Sequence, residues 1–218
     1  KSGIADIAKQ LFGMNEHSLV ESFGCLHSTM FPALTALPPL PIVAAAVGNL
    51  FHSAVSIYYH WSCATVIEPR YRITHWTRRA DNASIHFASI FASYATSNRL
   101  DYFLFNLVFN LDCMSKQLEK ECHPRRNQSR LAASIILYLL PVVVNGHYIL
   151  FLQFALMFIM AGWFFGAYPV GGWSHGLFHI ILSFLPYLVF QAAMLHPSSQ
   201  LQMNFAANCG SGMAVGQS

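Results

Sequence analysis

Five residues of this sequence have the types and spacing to bind and use a metal ion. His60 ends the stretch S-I-Y-Y-H, one helical turn after Ser56; Asp81 stands in R-R-A-D-N; His175 and His179 frame S-H-G-L-F-H. Residues four apart share one side of a helix, so both histidines of the last stretch can point at one atom. Three neutral imidazoles with a fourth position left to water make up the ligand set of a catalytic zinc site. Zinc on such a set lowers the pKa of its water toward neutrality and polarises a carbonyl. Asp81 beside that water has the chemistry to hold and deprotonate it. Ser56 can hydrogen-bond the ligand shell or a developing oxyanion.

Each residue taken singly has a plainer reading. The composition, with 11 histidines in 218 residues, supplies roughly half of one His pair at this spacing by chance. A histidine at a helix end is more often interfacial than a ligand. Asp81 could serve the helix dipole, and Ser56 could back-bond to a carbonyl. His52 and His86 lie deeper on their helices and read as core polar groups, while Asp112 is a reserve site residue. The metal reading rests on the set: imidazoles, a carboxylate and a hydroxyl delivered by separate helices to one depth.

The elements that must position them are membrane spans. Hydrophobic residues make up 55% of the chain and charged residues 10%, with a mean hydropathy of +0.42. Soluble domains carry about a quarter of their residues as charges. A chain this poor in charge cannot cover a water-facing globule, so its apolar excess faces lipid. A spanning helix needs roughly 20 mainly apolar residues, which gives seven candidates near 18–37, 42–64, 80–98, 100–116, 130–147, 148–168 and 173–195. The fold class is therefore all-α and polytopic, with a transmembrane domain over 1–196 and a disordered Ser/Asn/Gln/Gly-rich tail over 197–218. No signal-peptide pattern opens the chain at Lys1. The five cysteines are scattered, with no CxxC pair, and indicate neither a disulfide framework nor a thiolate zinc finger.

The span at 100–116 contains Asp101, Asn106, Asn110 and Asp112 and fails on hydropathy alone. Charge asymmetry restores it. With seven crossings, one side holds Lys1, Lys9, Arg70, Arg72, Arg78, Arg79, Lys116, Lys120, Arg125, Arg126 and Arg130, and the other only Arg99. Basic residues gather on the cytoplasmic side, so the N-terminus and those loops are expected there. Pro38, Pro39 and Pro41 mark the first turn between spans, and Pro169, Gly171 and Gly172 the last. Pro141 and Pro186 fall inside spans, where neighbours can satisfy the carbonyls they free. Tyr58, Tyr59, Trp61, Trp76 and Trp173 read as an interfacial aromatic belt.

The ensemble of Ser-x-x-x-His, a following Asp and a late His-x-x-x-His resembles the CREST superfamily of seven-span membrane hydrolases, which includes alkaline ceramidases, progestin and adiponectin receptors and haemolysin III-like proteins. Two stretches, R-R-A-D-N-A-S-I-H-F-A-S-I-F-A-S-Y-A-T and G-G-W-S-H-G-L-F-H, are similar to the haemolysin III and receptor branch. The resemblance covers residues 50–98 and 160–195; the interval from His60 to Asp81 is longer than in that pattern. It implies Zn2+ on His60, His175 and His179, with Asp81 holding the water and Ser56 supporting the site. It also implies seven helices around a lipid-accessible cavity and hydrolysis of an amide or ester bond in a lipid such as ceramide. The expected partners are a membrane lipid substrate and the bilayer, with no nucleic acid.

Two other classes remain open. One is a seven-span receptor or regulator whose zinc is structural. The other is a channel or transporter with a polar path along Asp101, Asn106, Asn110 and Asp112.

Overall fold

A computed structural model describes residues 37–72, 74–120, 123–204 and 206 of the chain. All regular structure among the described residues is helical. The helices are α1 (Leu40–Thr65), α2 (Trp76–Ser97), α3 (Leu100–Leu118), α4 (Pro124–Val144), α5 (Tyr148–Ala167), α6 (Trp173–Leu182) and α7 (Leu185–Met194), with a 3-10 turn at Pro69–Tyr71. They lie in one unit, Leu40–His196; a second unit joins Lys1–Pro39 with Pro197–Ser218. In that second unit residues 197–204 of the polar tail are helical, and Gln202 donates to the Leu37 carbonyl at 2.9 Å. The first expected span, near 18–37, lies outside the described residues apart from Leu37.

Among the described residues, four helical stretches are long and apolar enough to cross a membrane: α1, residues 125–144 of α4, α5, and Trp173–Met194. Their outward side chains are large and apolar; Leu50 is 72% exposed, Val144 75% and Ile149 79%. A water-facing surface does not carry such a continuous apolar coat, whereas lipid favours one. This is the pattern of an integral membrane protein.

Helices α2 and α3 fall short on composition for a reason visible in their packing. α2 contacts α1, α3, α4 and α7, and its buried side is built of small residues: Ala83, Ser84, Ser89, Ala92, Ser93 and Ala95. Small side chains let helix backbones approach closely. Its hydroxyls are satisfied within the helix, Ser89 on the Ile85 carbonyl at 2.9 Å and Ser93 on that of Ile90 at 2.6 Å. On α3 the polar residues divide by side. Asn106 and Asn110 are fully buried, while Asp101 and Asp112 are exposed and pair with Arg99 and Lys116. The carboxylates therefore do not share a line with the two asparagines.

Residues 173–195, expected as one span, form two helices broken at Ser183 and Phe184. Pro186 has no N–H to give the Leu182 carbonyl, and its ring crowds that turn. The turn before this segment contains Gly171 at φ 59°, a left-handed conformation that glycine adopts without strain. Helices α1, α2, α4, α5 and α7 share one apolar core around Ala45, Ala95, Val142, Phe154 and Val189.

Candidate metal centre

Three helix ends build the site. His60 lies in the last turns of α1, where the chain turns back through the 3-10 segment into α2. The start of α2 is fixed by His75, whose imidazole accepts from the Thr77 amide at 3.4 Å. That start puts Asp81 in the second turn of α2, beside the end of α1. At the head of α6, buried Ser174 accepts from the Val170 amide at 3.1 Å, which ties the preceding turn to the helix. His175 and His179 follow on one side of it.

The expected ligands converge. One nitrogen from each of His60, His175 and His179 lies within 4.8 Å of the others, and all three residues are half-buried. The Nε2 atoms of His175 and His179 are 3.2 Å apart. Two imidazole nitrogens on a tetrahedral ion at 2.0–2.1 Å would lie about 3.3 Å apart. The His60 ring centroid is 4.6 Å from that of His179 and 5.7 Å from that of His175. Phe178 packs on both α6 imidazoles, with ring centroids 5.9 Å from His175 and 5.0 Å from His179. An apolar ring at this place excludes water from one side of the nitrogens.

Asp81 is half-buried, and its Oδ1 is sealed from solvent with no hydrogen-bond partner in the protein. A buried carboxylate oxygen left unmatched is costly. Its charge acts on His175, so the carboxylate and the cluster share one electrostatic environment. A carboxylate oxygen left without a partner, on the helix end packed against α1, and three converging imidazoles make a donor set that suits a divalent cation carrying a water. Ser56 is half-buried, one turn before His60 on α1.

The reserve residue Asp112 does not belong here. It is exposed on α3 and ion-paired with Lys116 four residues on. His86 is fully buried in a different cluster, bonded to Asn110 and Ser134. His52, read from the sequence as a core polar group, is half-buried and bonds Ser84 on α2 at 2.8 Å. The signal for it was present, since His52, Ser56 and His60 recur every fourth residue. Tyr58, Trp61, Trp76 and Trp173, four members of the expected aromatic belt, are exposed at this end of the helices.

Comparison with known proteins adds no relative: no family model, no curated protein and no solved structure matches the chain.

Proposed function

We propose that this chain is a zinc-dependent membrane hydrolase that cleaves an amide or ester bond in a lipid such as ceramide. In this reading it is a seven-span protein with a cytoplasmic N-terminus, related to the haemolysin III-like and receptor branch of the CREST superfamily. The observation that carries it is the meeting of three imidazoles from two helices near a buried carboxylate oxygen without a partner.

His60, His175 and His179 would hold the ion, and a bound divalent cation of this kind polarises a carbonyl and acidifies water. Asp81 takes the proton of the attacking water on Oδ1 and returns it to the leaving nitrogen or oxygen. Ser56 offers a hydroxyl proton to the oxygen on which charge develops. Phe178 covers one side of the His175 and His179 rings. A lipid substrate suits the position of the site. It lies at helix ends beside the connecting segment and first turn that hold Arg70, Arg72, Arg78 and Arg79, and in this reading basic residues of that kind mark the level of lipid headgroups. The amide of a ceramide lies at that level.

The test is metal content and turnover of the purified protein. About one zinc per chain is expected, lost in His60→Ala and in His179→Ala. Ceramide turnover should stop on chelation and return with zinc. A full equivalent of zinc in either variant rules out this ligand set. Zinc bound without turnover leaves a receptor or regulator with a structural ion.

A further inference from the structure

His52 stands two turns before His60 on one i, i+4 ridge of α1, with Ser56 between them. Its Nδ1 lies 2.8 Å from the Ser84 hydroxyl, and that hydroxyl lies 2.6 Å from the backbone carbonyl of Asp81. The Ser84 hydroxyl donates to the Asp81 carbonyl, which can only accept. The same oxygen is the hydrogen-bond partner of the His52 ring, which ties the imidazole to the neighbouring helix.

The link bridges 32 residues of sequence, from α1 to the turn of α2 that carries the proposed proton carrier. It starts from the same ridge of α1 that carries His60, two turns before it. Backbone contact supports it one turn away. At Gly48 a side-chain Cβ would meet the Phe91 Cβ at 3.0 Å and the Ala88 carbonyl at 3.1 Å, so α1 there packs closely on the backbone and Cβ layer of α2. Asp81 Oδ1 has no hydrogen bond of its own to aim it. Its direction depends on the placement of its backbone turn, which the Ser84 and His52 bonds tie to α1.

We infer that His52 is a positioning residue of the site: through Ser84 it clamps the turn bearing Asp81 against the ridge bearing Ser56 and His60. The inference rests on the proposed hydrolase reading for its consequence in turnover, but the clamp itself has a second readout that needs no substrate.

The experiment compares His52→Leu, Ser84→Ala and His52→Asn with Asp81→Asn as the benchmark. The asparagine amide can bond Ser84 as donor or as acceptor, whereas leucine fills the volume with neither. Loss of an outer-shell partner of a metal site costs about 10- to 100-fold. His52→Leu and Ser84→Ala should lose kcat by that factor with KM and zinc content retained, and His52→Asn should recover most of it. The substrate-free readout is the pH at which the visible absorbance of the Co2+-loaded protein changes. Asp81→Asn removes a negative charge and should move that pH downward. His52→Leu and Ser84→Ala should move it the same way, and His52→Asn should titrate like the wild type.

The clamp is overturned if His52→Leu and Ser84→Ala match the wild type in the Co2+ titration, or if His52→Asn is as altered as His52→Leu. Ser84→Ala removes a single oxygen and keeps the test decisive should His52→Leu fail to fold. Absence of turnover in the wild-type protein counts against the hydrolase reading alone. An unshifted Co2+ titration in Asp81→Asn counts against both.

Discussion

The Tyr102 hydroxyl on α3 donates to the carbonyl of Leu137 on α4, the acceptor that Pro141 cannot serve one turn later. In a helix the N–H of residue 141 would bond that carbonyl; proline has none. No water replaces it in an apolar medium, so a neighbouring helix does.

Tyr102→Phe should therefore destabilise the protein by about 1–3 kcal/mol, the cost of an orphaned acceptor. Unfolding in mild detergent measures it. In a Pro141→Ala background the helical N–H returns, and the same tyrosine substitution should cost markedly less. An equal loss in both backgrounds would show that the hydroxyl acts through packing and not through this bond.

A second polar contact makes a different kind of demand. His86, Asn110 and Ser134, from α2, α3 and α4, are fully buried together. His86 Nδ1 lies 2.9 Å from Asn110 Oδ1, which also accepts from Ser134 at 2.7 Å. Asn110→Leu removes the acceptor that the two share, leaving His86 with the Ser134 hydroxyl and Ser134 with the Arg130 carbonyl, and a loss of about 1–3 kcal/mol is expected. Adding His86→Leu removes the partner that Asn110 had already lost, so the double variant should be less unstable than the sum of the singles. Strict additivity in that cycle would mean the two side chains do not interact. Zinc content of the folded fraction should be unchanged throughout, because none of the three residues belongs to the His60, His175 and His179 cluster.

Much of this arrangement was legible in the chain. Helix periodicity places His175 beside His179, and the stretches read near 80–98 and 100–116 are helices, α2 and α3, packed against each other. Their polar atoms are largely satisfied by back-bonds and by partners on other helices, which no local hydropathy window registers. Asp112 misled because spacing gives a depth along a helix but not the side on which a residue emerges; Lys116 holds it outward. His52 was undervalued for the converse reason. Its place in the every-fourth-residue ridge was visible, but its partner Ser84 is 32 positions away. The break at Ser183 was implicit in Pro186, whose effect depends on whether the surrounding helices repair the freed carbonyl, as Tyr102 does for Pro141.

Asp81→Asn separates binding from chemistry. The amide keeps the size of the carboxylate and is not among the three nitrogen ligands, so zinc content should remain near that of the wild type. Turnover should fall by about 100- to 10,000-fold, the contribution of a positioned acid–base group. His175→Ala should instead lose metal and turnover together. If Asp81→Asn hydrolyses lipid at the wild-type rate, the carboxylate has no part in proton transfer and the centre is structural.

Gly48 provides a test of how closely α1 must approach α2. Alanine has a helix propensity better than glycine by about 1 kcal/mol, so on an open helix face the substitution would stabilise. Here the added Cβ would sit 3.0 Å from the Phe91 Cβ, 3.1 Å from the Ala88 carbonyl and 3.3 Å from the Ala88 Cα. None of these is the movable end of a side chain; they shift only if α2 itself shifts. Overpacking against such a wall costs about 1–3 kcal/mol, which outweighs the propensity gain, and Gly48→Ala should unfold more easily than the wild type. Because His52 lies one turn further along the same ridge, the displacement should also lengthen its 2.8 Å bond to Ser84. Gly48→Ala should then move the Co2+ titration in the direction of His52→Leu without touching any polar group of the site. A variant that is instead stabilised by the full propensity gain, with the titration unmoved, would show that the two helices have room to spare.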